Sequence, residues 1–451
     1  MLWFRRDLRL ADHPALLAAA AGGDEVIALF VLDPRLWDPA GPPRQAWLVR
    51  SLRALDDALG GRLVVRHGDP VDVVPDLAAQ ADAASVHVTA DAGPYGRQRD
   101  DAVAAKLGDR ALVRTGTPYA VGPGTIMNGS GTPYRVFTPF FKAWQRHGWP
   151  RPAPQAQVRW ASGISSDGLP AEPDLDGVTL PEAGEAAALH RWRAFLDSDP
   201  GVNGYAARRN DPSVAGTSSM SVHLKYGEIH PRTMLDDLTA HPGPGADGLR
   251  SELCWREFYA DVLWHTPSGA RSELRTEFAG IRVDQPTADP QAQLRWAAWQ
   301  QGRTGYPLVD AGMRQLRAEG WMHNRVRMVV ASFLVKDLHL PWQLGAADFM
   351  HWLRDGDLAS NSQGWQWTAG CGTDAAPYYR VFNPVTQGLR FDPEGAYVRR
   401  YVPELAHLPG AAAHQPWEAG DGYTHGYPKR IVDHGAERDE ALTRLGELRQ
   451  A

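Results

Sequence analysis

Four short stretches carry residue types whose spacing could do chemistry. Glu252-Leu253-Cys254-Trp255-Arg256-Glu257-Phe258-Tyr259, read as a helix, puts Glu252, Trp255, Arg256 and Tyr259 on one face at i, i+3, i+4 and i+7. That face offers a carboxylate and an indole to a flat ligand; the same spacing allows a Glu–Arg pair beside a core aromatic. Trp321-Met322-His323-Asn324-Arg325-Val326-Arg327-Met328 opens a second helix. Val326, Val329, Val330 and Phe333 form its apolar side, and Asn324, Arg327 and Met328 share another side that suits a heterocycle or solvent. Asp355-Gly356-Asp357-Leu358-Ala359-Ser360-Asn361 leads into Gly364-Trp365-Gln366-Trp367. Asp-Gly-Asp resembles part of a calcium loop, but the later Gly and Glu of that pattern are missing, so no metal is expected. Finally, Tyr205 precedes Gly216-Thr217-Ser218-Ser219-Met220-Ser221, where hydroxyls and free N–H groups could meet an anion such as a diphosphate or simply cap a helix.

These stretches need two kinds of support. Residues 1 to about 130 alternate short β-rich runs (Val26–Leu32, Leu63–Val65, Val86–Thr89, Ala111–Val113) with helical stretches. In the clearest of these, 44–59, Leu48, Leu52, Leu55 and Leu59 recur at helical spacing. The alternation predicts a doubly wound parallel sheet. Neither a GxGxxG turn nor a phosphate loop accompanies it. Residues 131–185, proline-rich from 150 onward, read as a long connector. From 186 to 451 apolar helices alternate with Gly/Pro turns such as His241–Gly245, predicting a mainly α-helical domain that holds all four stretches.

The composition excludes much else. The chain has 451 residues, 43% hydrophobic and 22% charged, an ordinary globular balance. No apolar run reaches membrane-spanning length. A net charge of -6 rules out a generally basic nucleic-acid coat, although residues 321–410 are neutral. Cys254 and Cys371 are the two cysteines, too few for a disulfide framework or an ordinary iron–sulfur cluster. Arg5-Arg6 ahead of an Ala-rich run is similar to a twin-arginine signal, but Asp7, Arg9, Asp12, His13 and Pro14 break any apolar segment, and a cytoplasmic protein is expected. The 17 tryptophans are unusual, ten of them at or after Trp255.

Taken together, Trp3-Phe4-Arg5-Arg6-Asp7-Leu8-Arg9, Thr217–Ser221, Trp255–Tyr259, Trp321–Met328, Asp355–Trp367, Gly372-Thr373-Asp374-Ala375-Ala376-Pro377 and Phe382-Asn383-Pro384 closely resemble the photolyase/cryptochrome flavoproteins, in that family's order and across nearly the whole chain. The resemblance implies an α/β antenna domain and a helical domain holding a folded FAD. Tyr205 and Thr217, Ser218, Ser219, Met220 and Ser221 would hold the FAD phosphates and nearby groups. Arg327 would pair with Asp355 beside the isoalloxazine, with Gly356 in the same turn; Asp357 would bind the ribityl or ribose side, and Asn361 would face the flavin N5. Asn there fits a flavin kept as the reduced anion. Glu252, Trp255, Asn324, Met328 and Trp367 match the pocket of enzymes that repair cyclobutane pyrimidine dimers. In that pocket Trp255 and Trp367 sandwich the flipped lesion and Glu252 and Asn324 bond its edges; Arg256 and Arg325 are expected at a DNA-contacting rim. The implied activity is light-driven repair by a monomer acting on dimer-containing DNA. The alternative is a non-catalytic blue-light receptor, whose usual long C-terminal tail is not seen here.

Two features depart from or extend that pattern. Trp365 and Trp342 match the first two members of the family's tryptophan chain for flavin photoreduction, but the segment Ile281–Pro286, where the third is expected, has no aromatic residue. Either Trp296, Trp299 or a tyrosine substitutes, or photoreduction is slow while chemically reduced protein still repairs. Ala90–Arg97 resembles the deazaflavin-type antenna site more than the folate type, because Gly96 stands where the folate-associated acid would be; Asp33, Arg44, Asp91 and Arg97 are the antenna candidates.

Overall fold

The computed structural model describes residues 1–23, 25–373 and 379–450; Asp374–Pro377 of the expected motif lie outside them. Five parallel strands, β1 (Leu2–Phe4), β2 (Ala28–Leu32), β3 (Leu63–His67), β4 (Ser85–Val88) and β5 (Ala111–Arg114), form one sheet in the order β3-β2-β1-β4-β5. Their runs are apolar on both faces because helices cover both sides: Phe4 and Val65 face one buried cluster, and Trp3, Leu29 and Val86 face the other. The expected helix is present as Pro42–Ala58 with Leu52 and Leu55 buried. All four expected strands shift by one or two residues at one or both ends, where local hydrophobicity is the weakest guide.

Strand order reverses between β1 and β4, so a crevice opens beyond their carboxyl ends, where ligands bind in such sheets. Arg5, Arg6 and Asp7 leave β1 there, and Thr89 and Asp91 leave β4. Asp7 fixes the turn by accepting from the Arg5 N–H at 2.7 Å and the Thr89 hydroxyl at 2.5 Å.

The rest of the chain is helical around two cores. One gathers Trp299, Phe333, Phe349 and Trp365. The other gathers Trp144, Trp192, Cys254 and Phe258 and takes in residues before 150. The second core corrects the connector boundary. Residues Phe137–His147 form a helix whose Phe137, Phe140 and Trp144 pack against Phe258. Glu257 anchors the preceding loop by accepting from Ala120 and Val121 N–H and from Trp144 Nε1 at 2.5, 3.0 and 2.6 Å. Burial pushes this carboxyl up to about 7. The remainder does wrap the surface as expected: Val26 N–H donates to Arg159 O, and Asp167 N–H to Val65 O, both at 2.9 Å.

Several contacts join the two halves, among them Arg232 on Asp12 at 2.6 Å and an ion pair at the crevice. Arg6 Nη2 reaches Asp357 Oδ2 at 2.6 Å across 351 positions of sequence, so the twin arginines are structural. Burial alone would raise the Asp357 pKa, but Arg6 first, then Arg256 and Lys225, hold it well below the usual carboxylate range. Truncation of Arg6 leaves that carboxylate buried without its nearest cation. Arg6→Ala should therefore lower unfolding free energy in a denaturant titration by about 3 kcal/mol, and adding Asp357→Asn should recover most of the loss. An unchanged midpoint would place domain cohesion elsewhere.

Candidate functional site

The helix Leu358–Ala369 carries the centre of the site. Asp357 starts it, accepting from the Ser360 N–H at 3.0 Å in an N-cap. Asp355, two residues earlier, is gripped through both oxygens by Arg327 Nη2 at 3.1 and 2.9 Å, while Arg327 Nε donates to Met322 O at 2.8 Å. The expected Arg327–Asp355 pair is thus formed. Along the helix Trp365 is 2% exposed, whereas Asn361, Gly364 and Trp367 are half-exposed on one face. No atom lies within 4 Å of where a Cβ on Gly364 would stand. That face borders open space.

The helix Pro244–His265 packs against it. Glu252, Trp255, Arg256 and Tyr259 form the expected half-exposed stripe, between buried Leu253, Cys254, Glu257 and Phe258. Glu252 does not pair with Arg256. It binds Arg209, whose guanidinium also lies 5.3 Å over the Tyr205 ring. Trp255 stacks on Phe137 at 3.7 Å and 7°, which stiffens one face of the indole. Arg256 is corrected from its expected place at a DNA rim: its Nη1 and Nη2 donate to Pro118 O at 3.0 Å and Leu224 O at 3.1 Å, with Tyr119 4.3 Å beneath the guanidinium. It ties the loop at Pro118 to the helix that carries Leu224.

The third wall is the helix Asn324–Lys336, which also packs on Leu358–Ala369. Val326, Val329, Val330 and Phe333 are buried as expected, Asn324 is exposed, and Arg327 and Met328 are half-exposed. Arg325 donates to Asn210 Oδ1 at 2.8 Å, with Met328 Sδ 3.7 Å from its Nη1. Arg209 and Asn210 were missed in the sequence; the Arg208-Arg209-Asn210 run after Tyr205 was the available signal. Phe137 was missed too, although it opens the aromatic run Phe137-Thr138-Pro139-Phe140-Phe141.

The residues expected to hold FAD fit such a group. Thr217, Ser218 and Ser219 are half-buried just before the helix Ser221–Tyr226, which has no side-chain cap, so their hydroxyls are not consumed by capping. Ser219 has a φ of 54°, a left-handed turn rare for a non-glycine. Met220 is buried, Tyr205 sits beside Glu252, and Trp365 Nε1 is buried with no partner. Asn361 Nδ2 donates to Ala346 O at 2.9 Å, fixing the amide's orientation. Among the described residues no group of three or more His, Cys, Asp or Glu could hold a metal ion. No helix among them is long and apolar enough to cross a membrane.

Comparison with known proteins agrees. Residues 1–157 match the DNA photolyase family, and residues 249–447 match the FAD binding domain of DNA photolyase. A deoxyribodipyrimidine photo-lyase of Salmonella typhimurium is 38% identical, covering 98% of this chain and 97% of that protein. The chain belongs to the DNA photolyase family. Among solved relatives, a class III photolyase from Agrobacterium tumefaciens superposes with a TM-score of 0.90 at 37% identity over 100% of this chain and 97% of its own. A Synechocystis cryptochrome gives 0.88 at 29% identity, with 98% of each chain covered.

In the segment of this photolyase-family chain expected to hold an antenna, a Cβ on Gly96 would stand 2.1 Å from the Asp91 carboxylate, so no acidic side chain fits at 96. Asp91 is held by the Gly93 N–H at 2.9 Å and Arg99 at 3.2 Å. Asp33 accepts from Arg35 N–H at 3.0 Å and from Tyr95, and Arg97 lies 3.7 Å over Trp264. Arg44 differs: its Nε is buried without a partner.

Trp365 sits where it does because Gly345 leaves room. A Cβ at 345 would lie 2.1 Å from the Trp365 ring and 2.6 Å from Leu334. Gly345→Ala should lower stability by roughly 1–3 kcal/mol through overpacking and change the near-ultraviolet circular dichroism as the indole moves. Wild-type stability and spectrum in that variant would contradict the packing.

Proposed function

We propose that the chain is a light-driven lyase that splits cyclobutane pyrimidine dimers in DNA. The observation that carries this reading is the set of half-exposed side chains on three packed helices: Glu252 and Trp255, Arg325 and Met328 beside exposed Asn324, and Asn361 and Trp367. A dimer inside a duplex is out of reach, and its weakened stacking and pairing make extrusion cheaper than for a normal base. Trp255, backed by Phe137, and Trp367 would stack on the extruded lesion, while Glu252 and Asn324 would bond its edges. Glu252 is oriented for this by Arg209, and Asn324 projects from the start of its helix beside Arg325.

When bound, reduced FAD supplies under light the electron that splits the dimer. Arg327 with Asp355 would position its ring system, Asp357 with Gly356 the adjoining chain, and Tyr205 with Thr217–Ser221 the phosphates. Asn361 carries no carboxyl proton to give, which suits an anionic reduced ring. A lyase working by electron transfer needs no nucleophile, acid or base in the pocket.

The net charge of -6 is no obstacle, because charge is unevenly spread. Residues 110–166 contain no Asp or Glu. Within them Arg135, Lys142, Arg146 and Arg151 are exposed, and Lys142 and Arg146 share the outer face of the helix whose Phe137 stacks on Trp255. We assign this strip to the phosphates flanking the lesion, with binding that weakens as salt rises. We take the protein to act as a cytoplasmic monomer.

Illumination of a thymine-dimer oligonucleotide with chemically reduced holoprotein should remove dimers in light and not in the dark; equal amounts in both would refute the lyase. Trp255→Ala and Trp367→Ala should each weaken dimer binding by about 1–3 kcal/mol, about 5- to 150-fold.

For the antenna we favour a deazaflavin over a folate. Gly96 admits no acid, and Arg44, Lys225 and Arg6 gather at the switch-point crevice. Burial pushes the Lys225 ammonium down to about 7, with Arg6 and then Arg44 adding to the shift. An anionic chromophore beside it favours the protonated form, so retention should fall as pH rises above about 7 and Lys225→Met should flatten the profile. A folate-like near-ultraviolet band from released chromophore would overturn the preference.

A further inference from the structure

Beyond Trp342 the expected electron path stops. Trp342 is held by its Nε1 to Glu273 Oε1 at 3.0 Å, and Ile281, Arg282, Val283 and Gln285 beyond it line a cavity of about 290 Å³ with no further indole. Tyr379 also lines that cavity, capped by the Lys336 amine 4.0 Å over its ring.

A different run of rings leaves Trp365. Trp299, fully buried, meets Trp365 edge-on at 6.2 Å and 64°. Phe349 fills the corner, 5.0 Å from Trp365 and 6.2 Å from Trp299. Trp296, one helical turn before Trp299 on Pro290–Gln300, stacks on it at 5.2 Å and 16°. Trp296 is half-buried. Three indoles therefore run in ring contact from beside Asn361 to the surface. Trp299 Nε1 is locked onto Val330 O at 3.1 Å, so its orientation is set by the helix Asn324–Lys336. Among the described residues no cation lies over the rings of Trp296, Trp299 or Trp365.

We infer that Trp365, Trp299 and Trp296 form the conduit by which the bound flavin is photoreduced in this protein, in place of a route through Trp342. The inference rests on the FAD-dependent photolyase reading above. One electron leaves the Trp365 indole for the photoexcited oxidised flavin. Trp299 returns one to Trp365, and Trp296 one to Trp299. The hole, now on the surface ring, is filled by one electron from a thiol in solution, which gives its proton to water; two thiyl radicals so formed join as a disulfide, and the two photocycles that make them supply the two electrons of full flavin reduction. Burial of Trp299 keeps the middle carrier from water, while exposure of Trp296 lets the external donor reach the end of the chain. Of the alternatives left by the sequence, ring contact favours substitution by Trp296 and Trp299 over impaired photoreduction.

The test is the rate at which oxidised holoprotein loses its visible flavin band under blue light with excess thiol and no oxygen. Trp296→Phe, at a half-exposed site, should fold normally and slow bleaching at least tenfold, and Trp342→Phe should bleach near the wild-type rate. Transient absorption should show a long-lived tryptophan radical in wild type that recombines early in Trp296→Phe. Bleaching by Trp296→Phe at the wild-type rate, or its loss in Trp342→Phe alone, would overturn the conduit. Chemically reduced Trp296→Phe should still cleave dimers. If chemically reduced wild type cleaves none, the lyase reading fails, whereas the bleaching comparison still decides the conduit.

Discussion

Two buried carboxylates at the start of one helix hold the molecule in its working shape. Asp355 is gripped by Arg327 from the neighbouring helix and Asp357 by Arg6 from the far end of the chain. Both charges are costly to bury, and each is tolerated because a guanidinium is delivered to it. The helix that follows cannot slide or turn without unpairing one of them. Its residues therefore inherit fixed positions: Asn361 and Trp367 on the face that borders open space, and Trp365 packed toward the buried Trp299.

From that fixed helix the division of labour follows. Several groups whose ionisation burial disturbs lie away from the pocket walls. Glu257 ties down a loop, Asp337 is pushed up to about 6 where it binds His434, and Lys336 donates to Arg380 O. The pocket walls are instead indoles, amides, a thioether and one arginine-bound carboxylate. Such a lining recognises and orients, and leaves bond breaking to light and a cofactor. The sheet contributes its switch-point crevice, which Arg6 links to the helix bearing the site.

Much of this was legible because it repeats at short range. The i, i+3, i+4, i+7 spacing of Glu252, Trp255, Arg256 and Tyr259 fixed their shared face, and the valines after Asn324 fixed the buried side of that helix. The Arg327–Asp355 pair came from family resemblance and was met by geometry. What the sequence hid was long-range partnering. Glu252 chose Arg209 rather than the arginine four residues away, Arg256 turned inward to two carbonyls, and Arg6 reached a residue 351 positions on. The helix Phe137–His147 was lost in a connector because its core, shared with Phe258, is assembled from distant sequence. Trp296 and Trp299 were visible as residues, but only their rings' stacking gave them an order.

A structure of the holoprotein with a duplex containing one thymine dimer tests the account most directly. The account predicts the lesion turned out of the helix and lying between the Trp255 and Trp367 rings, within hydrogen-bonding distance of Glu252 and Asn324, with the Arg6–Asp357 and Arg327–Asp355 pairs intact. A dimer left stacked in the duplex, or bound away from those two indoles, would contradict it.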